Sequence, residues 1–214
     1  MLKIKVGINK VIRTLILSDF LLHNGWGLIG PIFAIFITQQ VKGGTLVAVG
    51  FIAATYWLVK SIAQPFIAHF LDITKGEKDD FKFLIYGMFL ANLVPLGYIF
   101  ATQLWHVFLL EVIRGICMAC VIPSWLGIFT RHIDRGWEAF SWSLQSTGIG
   151  FAAAFAAAFG GILASFLGFK IVFFLVSVFG LLSSFCLLSI RNQLFSKDHF
   201  KLKVLRGEKP ESQF

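Results

Sequence analysis

The chain has 214 residues, of which 57% are hydrophobic, 16% aromatic and only 14% charged, and its net charge at neutral pH is +8. Soluble domains are about 45–50% apolar and about 25% charged, so this composition excludes a soluble fold and indicates an integral membrane protein. The positive charge does not indicate nucleic-acid binding, because the lysines and arginines fall between apolar stretches rather than on one folded face.

Six stretches are long and apolar enough to cross a bilayer as helices, since a hydrocarbon core of about 30 Å requires about 20 helical residues. In chain order, spans 1 to 6 cover residues 11–37, 45–68, 83–101, 104–129, 139–164 and 171–190. The stretches are too long and too evenly apolar for barrel strands, and unpaired backbone groups in lipid are costly. We therefore predict an all-α membrane protein, with residues 1–193 forming a six-helix transmembrane bundle and residues 194–214 a basic cytoplasmic tail.

Basic residues predict the orientation of the spans. Span 1 is too long for a cleaved signal sequence and is interrupted by Asp19, so six crossings return both termini to one side. The basic residues on that side are Lys3, Lys5, Lys10, Arg13, Lys75, Lys78, Lys82, Arg131, Arg135, Arg191, Lys197, Lys201, Lys203, Arg206 and Lys209. The opposite side carries only Lys42 and Lys170. Because cytoplasmic loops are rich in lysine and arginine, we expect both termini to be cytoplasmic and the protein to lie in the plasma (inner) membrane.

Polar side chains inside the spans mark the candidate functional residues, because a charge near the bilayer centre costs about 2.5–3.5 kcal/mol unless it is paired or hydrated. They concentrate in spans 1, 2, 4 and 5, at spacings of three or four residues that share a helical face. We predict that a substrate or proton cavity is lined by Asp19, His23, Trp26, Lys60, Gln64, Glu111, Arg114 and Gln145. Spans 3 and 6, which are poorer in polar residues, are expected to be lipid-facing braces.

Two pairings would neutralise the charges. Asp19 and Lys60 both fall in the cytoplasmic half of the membrane and are placed to pair with each other. Glu111 and Arg114 are three residues apart on one helix, which favours a structural ion pair over a substrate site. A hydrogen bond to neighbouring backbone is an alternative role for His23.

The three cysteines, Cys117, Cys120 and Cys186, lie within apolar spans, and the closely spaced pair has no second pair to complete a zinc site. The sequence also lacks a nucleophile and a base at a usable spacing. We therefore predict no metal, no cofactor and no enzymatic activity.

Two segments carry a resemblance to a known family. AHFLDITKGEKDDFK, between spans 2 and 3, resembles the G-x-x-x-D-(R/K)-x-G-(R/K) signature of the major facilitator superfamily, with Asp72 in the acidic position and Lys75 supplying basic charge. It departs from that signature at Ala68 and Ile73. EVIRGICMAC resembles the arginine-bearing fourth helix of the family, through Arg114. Nearly the whole chain is thus similar to one six-helix half of a twelve-helix transporter.

The resemblance implies a bundle of 3+3 inverted repeats, with spans 1 and 4 lining a central cavity, spans 2 and 5 at the seam between halves, and spans 3 and 6 outside. Because one chain supplies one half, we expect a second copy beside it in a parallel C2 homodimer. The small residues of span 5 expected at the dimer seam are Ala152, Ala156, Gly160 and Gly161. Packing within the bundle is their alternative role.

The implied function is secondary active, proton-coupled transport of a small solute by alternating access, with Asp19 or His23 carrying the proton. The expected partners are a second copy of the chain, a small-molecule substrate and membrane lipids. One alternative is half of a split or truncated twelve-helix transporter that needs another partner. Another is a non-transporting membrane scaffold or assembly factor with the same fold.

Overall fold

The structure, a computed structural model, describes residues 8–74 and 76–195. Within these ranges the chain forms helices and no β-strand: α1 (Lys10–Ile29), α2 (Phe33–Gln40), α3 (Leu46–Thr74), α4 (Glu77–Tyr98), α5 (Leu104–His132), α6 (Glu138–Leu167) and α7 (Phe169–Leu188). Lys3, Lys5, Lys75 and the tail beyond Phe195 lie outside the described residues, so the predictions made for them stay predictions.

The prediction of six membrane spans in an all-α bundle is confirmed. Helices α3 to α6 and the stretch Phe169–Phe195 are each long and apolar enough to cross a membrane, and α1 and α2 together are long and apolar enough for the sixth when the bent pair is taken as one span. Helices α3 and α5 continue to Thr74 and His132, past the predicted ends of spans 2 and 4. The predicted ends marked the points where the apolar composition stops. The helical backbone hydrogen bonding continues beyond them, into the polar residues that follow.

The first span is bent, which its composition does not reveal. Helices α1 and α2 meet at an angle of 40° across the turn that contains Gly30 and Pro31. Proline has no backbone N–H to donate and its ring clashes with the preceding turn, so the hydrogen-bond ladder of α1 ends there. A bond from the Ile32 N–H to the Ile29 carbonyl, at 3.0 Å, then leads into α2.

The helices pack in a pattern that repeats once along the chain. Helix α1 packs against α6 and α7, α5 packs against α3 and α4, and α4 packs against α7. Exchanging α1 with α5, α3 with α6, and α4 with α7 leaves this set of contacts unchanged. Because equivalent helices are three crossings apart, they run in opposite directions across the membrane. The bundle therefore has the 3+3 inverted-repeat arrangement.

Two apolar clusters fill the interior of the bundle. In one, the ring of Phe36 on α2 meets Phe173 on α7 edge-to-face, with the ring centroids 4.8 Å apart, and Tyr98 packs beside them. The other cluster centres on Phe129 of α5 and Leu187 of α7. Trp26, a residue of the predicted cavity, packs against both clusters.

The expectation that α4 and α7 are lipid-facing braces is only partly met. Their outer faces expose residues such as Tyr86 and Phe185, yet their apolar windows are 50% and 44% buried, against 17% for each of α3 and α6. Buried polar side chains join them, since Asn92 on α4 donates to the Gly180 carbonyl on α7 at 2.8 Å. The polar residues of spans 3 and 6 thus serve interhelical contacts.

Candidate functional site

A pocket of about 360 Å³ lies among the four helices that the polar residues singled out. Helices α1, α3, α5 and α6 supply its lining, with Met88 of α4 as the one exception among the described residues. Its ionisable, amide and aromatic lining residues are Asp19, His23, Trp26, Tyr56, Trp57, Lys60, Arg114, Trp125, Trp142 and Gln145. This volume falls within the range of small-molecule sites.

Asp19 on α1 is held by an amide from α6. The Gln145 Nε2 group donates to Asp19 Oδ2 at 2.7 Å. The ring of His23, one turn along α1, places Nδ1 2.8 Å from the Asp19 backbone carbonyl and 3.4 Å from its Oδ1. The predicted hydrogen bond of His23 to neighbouring backbone is therefore present, and the side chain also borders the pocket. One carboxylate thus ties two helices together beside an imidazole.

The predicted pairing of Asp19 with Lys60 is wrong within this chain. The Lys60 ammonium lies 4.0 Å from the centroid of the Trp57 ring and forms no ion pair with the described carboxylates. The physical reason is the packing of the helices: α1 packs against α6 and α7, whereas α3 packs against α5. Asp19 and Lys60 therefore line the same pocket from different walls.

Glu111 and Arg114 on α5 form the ion pair that their spacing predicts. Arg114 Nη1 donates to the two carboxylate oxygens of Glu111 at 2.8 and 3.0 Å, and the Tyr98 hydroxyl donates to Glu111 Oε1 at 2.6 Å. The Glu111 side chain is 1% exposed and does not border the pocket, so its predicted place in the cavity lining is corrected. It lies beneath Arg114, which does border the pocket.

The guanidinium of Arg114 is stacked between two aromatic rings. Its Cζ atom lies 4.1 Å from the Trp26 ring centroid and 3.9 Å from that of Tyr56. These contacts join α1, α3 and α5 around one cation, and each is worth about 0.5–2 kcal/mol. The ion pair and the two rings fix the orientation of the side chain.

Two residues of this arrangement escaped the sequence analysis as site residues. The Trp26 indole N–H donates to Asn92 Oδ1 at 3.1 Å. A residue of α4 therefore helps to fix the orientation of the ring that covers Arg114. Tyr98, at the end of α4, donates to Glu111. The sequence signal that could have identified them was a single amide, Asn92, and a tyrosine, Tyr98, within an apolar span. Buried polar groups are nearly always hydrogen-bonded, so both side chains indicated partners on other helices.

Gln64, predicted as a cavity residue, does not line the pocket. From α3 the pocket receives only Tyr56, Trp57 and Lys60, which cover about one helical turn. Gln64 lies one turn further towards Thr74. The four-residue spacing predicted that Gln64 shares a face of α3 with Lys60, but it did not show how far the pocket extends along the helix.

The segment that resembles the loop signature contributes a different charge cluster from the predicted one. Asp72 is exposed at the end of α3, and Lys75 lies outside the described residues. At the start of α4, Asp80 is paired with Arg131 at the end of α5, and Glu77 Oε1 lies 3.5 Å from Arg131 Nε. Arg131 entered the sequence analysis only as a marker of orientation, because nothing local joins it to residues about fifty positions earlier.

The small residues of α6 pack inside the bundle. A Cβ atom at Gly160 would lie 2.5 Å from the Leu28 carbonyl oxygen on α1, and Ala156 packs against Gly27 of α1. Ala152 and Ala156 are 0% and 3% exposed. Ala152, Ala156 and Gly160 are therefore unavailable to a second copy, and the alternative of internal packing is correct for them. Gly161 has open space around it.

Comparisons with known proteins agree with the arrangement of the helices. Residues 15–209 match the family profile of the Major Facilitator Superfamily. An uncharacterized MFS-type transporter of Methanocaldococcus jannaschii is 26% identical over 205 residues, an alignment that covers 88% of this chain and 47% of the relative. The chain thus spans about half the length of this curated relative. With six apolar spans in a 3+3 repeat, this chain belongs to the major facilitator superfamily, a family of multi-pass membrane transporters.

Proposed function

We propose that this chain is the subunit of a secondary active transporter that moves a small solute across the plasma membrane by alternating access. The observation that carries the proposal is the pocket, because it brings Asp19, His23, Lys60 and Arg114 to one solute-sized space within the membrane. Ionisable groups at this depth are costly and commonly mark substrate or ion pathways. Family membership supports transport as the general activity.

We further propose that two copies assemble as a parallel homodimer around the pocket. Six spans return both termini to the same side, here taken as the cytoplasm, so a two-fold axis along the membrane normal brings two bundles together in one orientation. Helices α3 and α6 both line the pocket and have the smallest buried share of the spans within the described bundle. One copy of α3 would then face α6 of the other copy.

The surface of α6 available for such a contact is aromatic. Phe151, Phe155 and Phe159 follow one another at four-residue spacing and are 59%, 56% and 53% exposed. Gly161 adds an open position on the same helix. These residues replace Ala152, Ala156 and Gly160 as the proposed seam.

Asp19 is the proposed carrier of the coupling proton. Its carboxylate borders the pocket, accepts from the neutral Gln145 amide and has His23 as a second titratable neighbour. Asp19 lines the same pocket as Arg114 and Lys60. A solute that binds in the pocket would therefore interact with the charge of Asp19. Glu111, in contrast, is neutralised by Arg114 and enclosed by Tyr98.

Assembly is tested by native mass measurement on the chain expressed alone and purified in a mild detergent. The expected result is the mass of two chains with the same orientation in cysteine-accessibility labelling. A monomer, or two copies in opposite orientations, would contradict the homodimer.

Transport is tested by screening the purified protein against a panel of small solutes for thermal stabilisation, followed by uptake into proteoliposomes. A ligand at about 100 times its Kd is expected to stabilise the folded state by about 2.7 kcal/mol. Uptake of that ligand should then respond to a pH gradient. Stabilisation by no solute, with a properly folded dimer, would favour the scaffold alternative.

A second candidate function is one half of a heteromeric transporter. The observation that favours it is the length of the Methanocaldococcus jannaschii relative, of which this chain covers 47%. This candidate predicts a monomer when the chain is expressed alone, and a stable complex when it is expressed with a different six-helix partner of the same family.

A further inference from the structure

We infer that the pocket selects a flat organic anion, whose acid group pairs with Lys60 and whose apolar body lies against the indoles of α5 and α6. The inference rests on the proposed function, because it takes the pocket as the solute site, and it adds the chemical class of the solute. Three features of the described residues carry it: the pairing of the charges, the aromatic wall and an unused hydrogen-bond donor.

The pocket contains one cation that none of the described carboxylates contacts. The Asp19 carboxylate is bound by Gln145 and contacts His23. Glu111 is occupied by Arg114 and by the Tyr98 hydroxyl. In the part of the chain that the structure describes, Lys60 contacts the rings of Trp57 and Tyr56 and no carboxylate.

An ammonium at this depth is costly unless an opposite charge or water accompanies it. The cation–π contact with Trp57, at 4.0 Å from the ring centroid, offsets part of that cost. An anionic ligand would supply the rest of the compensation. A cationic ligand would instead meet Lys60 and Arg114, and its only opposite charge in the described lining would be the Asp19 carboxylate, which already accepts from Gln145 and contacts His23.

The apolar wall of the pocket favours a flat ligand. Trp125 of α5 stacks on Phe129, with centroids 4.6 Å apart and planes 14° apart, and Trp142 of α6 lies 6.3 Å from Trp125. Trp125 and Trp142 line the pocket, and Arg114 does not cover them. Trp142 is 37% exposed and offers the larger free ring surface of the two, since Trp125 is 7% exposed. The Tyr56 ring is covered by the Arg114 guanidinium.

Trp125 also supplies a hydrogen-bond donor without an acceptor. Its Nε1 atom is buried and forms no hydrogen bond with the described residues, and the side chain as a whole is only 7% exposed. Carboxylate, sulfonate and phosphonate oxygens are acceptors, whereas an ammonium group is not.

The test compares three probes that share a ring system and differ in charge: naphthalene-carboxylate, naphthalene-carboxamide and naphthylmethylammonium. Binding is measured by isothermal titration calorimetry on the full chain in lipid nanodiscs. The carboxylate is expected to bind about tenfold more tightly than the carboxamide, and the ammonium probe is expected to bind most weakly.

The variant Lys60→Met should reduce the preference for carboxylate over carboxamide to about twofold or less, while Lys60→Arg should keep it. Lys170→Met is the matched control, because Lys170 is an exposed lysine outside the pocket, and it should leave all three affinities unchanged. Equal binding of the carboxylate and the carboxamide to the unaltered protein, or binding of none of the probes, would overturn the inference.

Lys60 lies on a helix of the proposed seam, so each variant is also examined by native mass measurement. Loss of the dimer in Lys60→Met with an unchanged carboxylate preference would make Lys60 a seam residue and overturn its role in binding. Uptake assays separate the two proposals. Anion binding without uptake counts against transport and leaves the site intact, whereas uptake of only cationic or neutral solutes counts against the anion site and leaves transport intact.

Discussion

The Asp19 group on α1 and the Glu111 group on α5 lie on equivalent helices of the two repeats, yet they differ in chemistry. Asp19 bonds to a neutral amide of α6 and has a half-exposed imidazole beside it. Glu111 bonds to a guanidinium and a tyrosine hydroxyl and is almost fully buried. The same backbone arrangement therefore holds one acid that borders the pocket and one that is enclosed in a structural pair.

The difference shows that internal repetition constrains which helices touch, and much less what their side chains do. Equivalent contacts join α1 to α6 and α5 to α3. The first contact carries an aspartate with an amide, and the second brings Tyr56 over Arg114. Equivalent helices of the two repeats thus carry different side-chain pairings.

The largest expected effect comes from breaking the Glu111 group. Glu111→Ala leaves the Arg114 guanidinium, which is 22% exposed, without its counter-charge and the buried Tyr98 hydroxyl without its acceptor, and we expect a loss of about 3 kcal/mol in unfolding free energy. Denaturant titration in detergent, followed by tryptophan fluorescence, measures it. The double variant Glu111→Leu with Arg114→Met removes both charges and should recover most of the loss. Equal destabilisation by the single and double variants would contradict the structural pair.

The next effect concerns the close contact of α1 with α6, on which the Asp19 group depends. Gly160→Leu should cost about 1–3 kcal/mol, because even its Cβ would overlap the Leu28 carbonyl oxygen on α1. Gly150→Leu is the matched control, since that position of α6 also faces open space and is not among the residues proposed for the seam, and it should change stability by about 0.5 kcal/mol or less. Thermal unfolding of the two variants, measured in parallel, checks the difference. Identical melting temperatures would contradict the close packing of α6 against α1 at Gly160.

The smallest expected change in stability, with a large change in function, comes from Asp19→Asn. The asparagine carbonyl still accepts from Gln145, so we expect a loss of about 1 kcal/mol or less in unfolding free energy. Uptake driven by a pH gradient should fall about tenfold or more, while exchange of solute at equal pH persists. Glu111→Gln is the comparison variant, because it should affect stability more than coupling. Full coupling in Asp19→Asn would exclude Asp19 as the proton carrier.

Contacts within one helix were predictable and contacts between helices were not. Glu111 and Arg114 are three residues apart, so the spacing alone predicted their pair. Asp19 and Gln145 are 126 positions apart, and nothing in the sequence distinguished Gln145 from Lys60 as the partner. The role of Asn92 was hidden for the same reason, because its partners on α1 and α7 are 66 and 88 positions away.

The sequence by itself determined the membrane class, the six spans and the family, because apolar length and short motifs are local properties that need no knowledge of packing. It also placed the polar residues on four of the six spans, which supply nearly all of the pocket lining among the described residues. Only the tertiary structure decided which charges pair, how deep the pocket reaches along α3 and which face of α6 is free. Those outcomes depend on which helices touch and how closely, as when Gly160 lets α6 approach Leu28, and interhelical distances are not encoded in any single span.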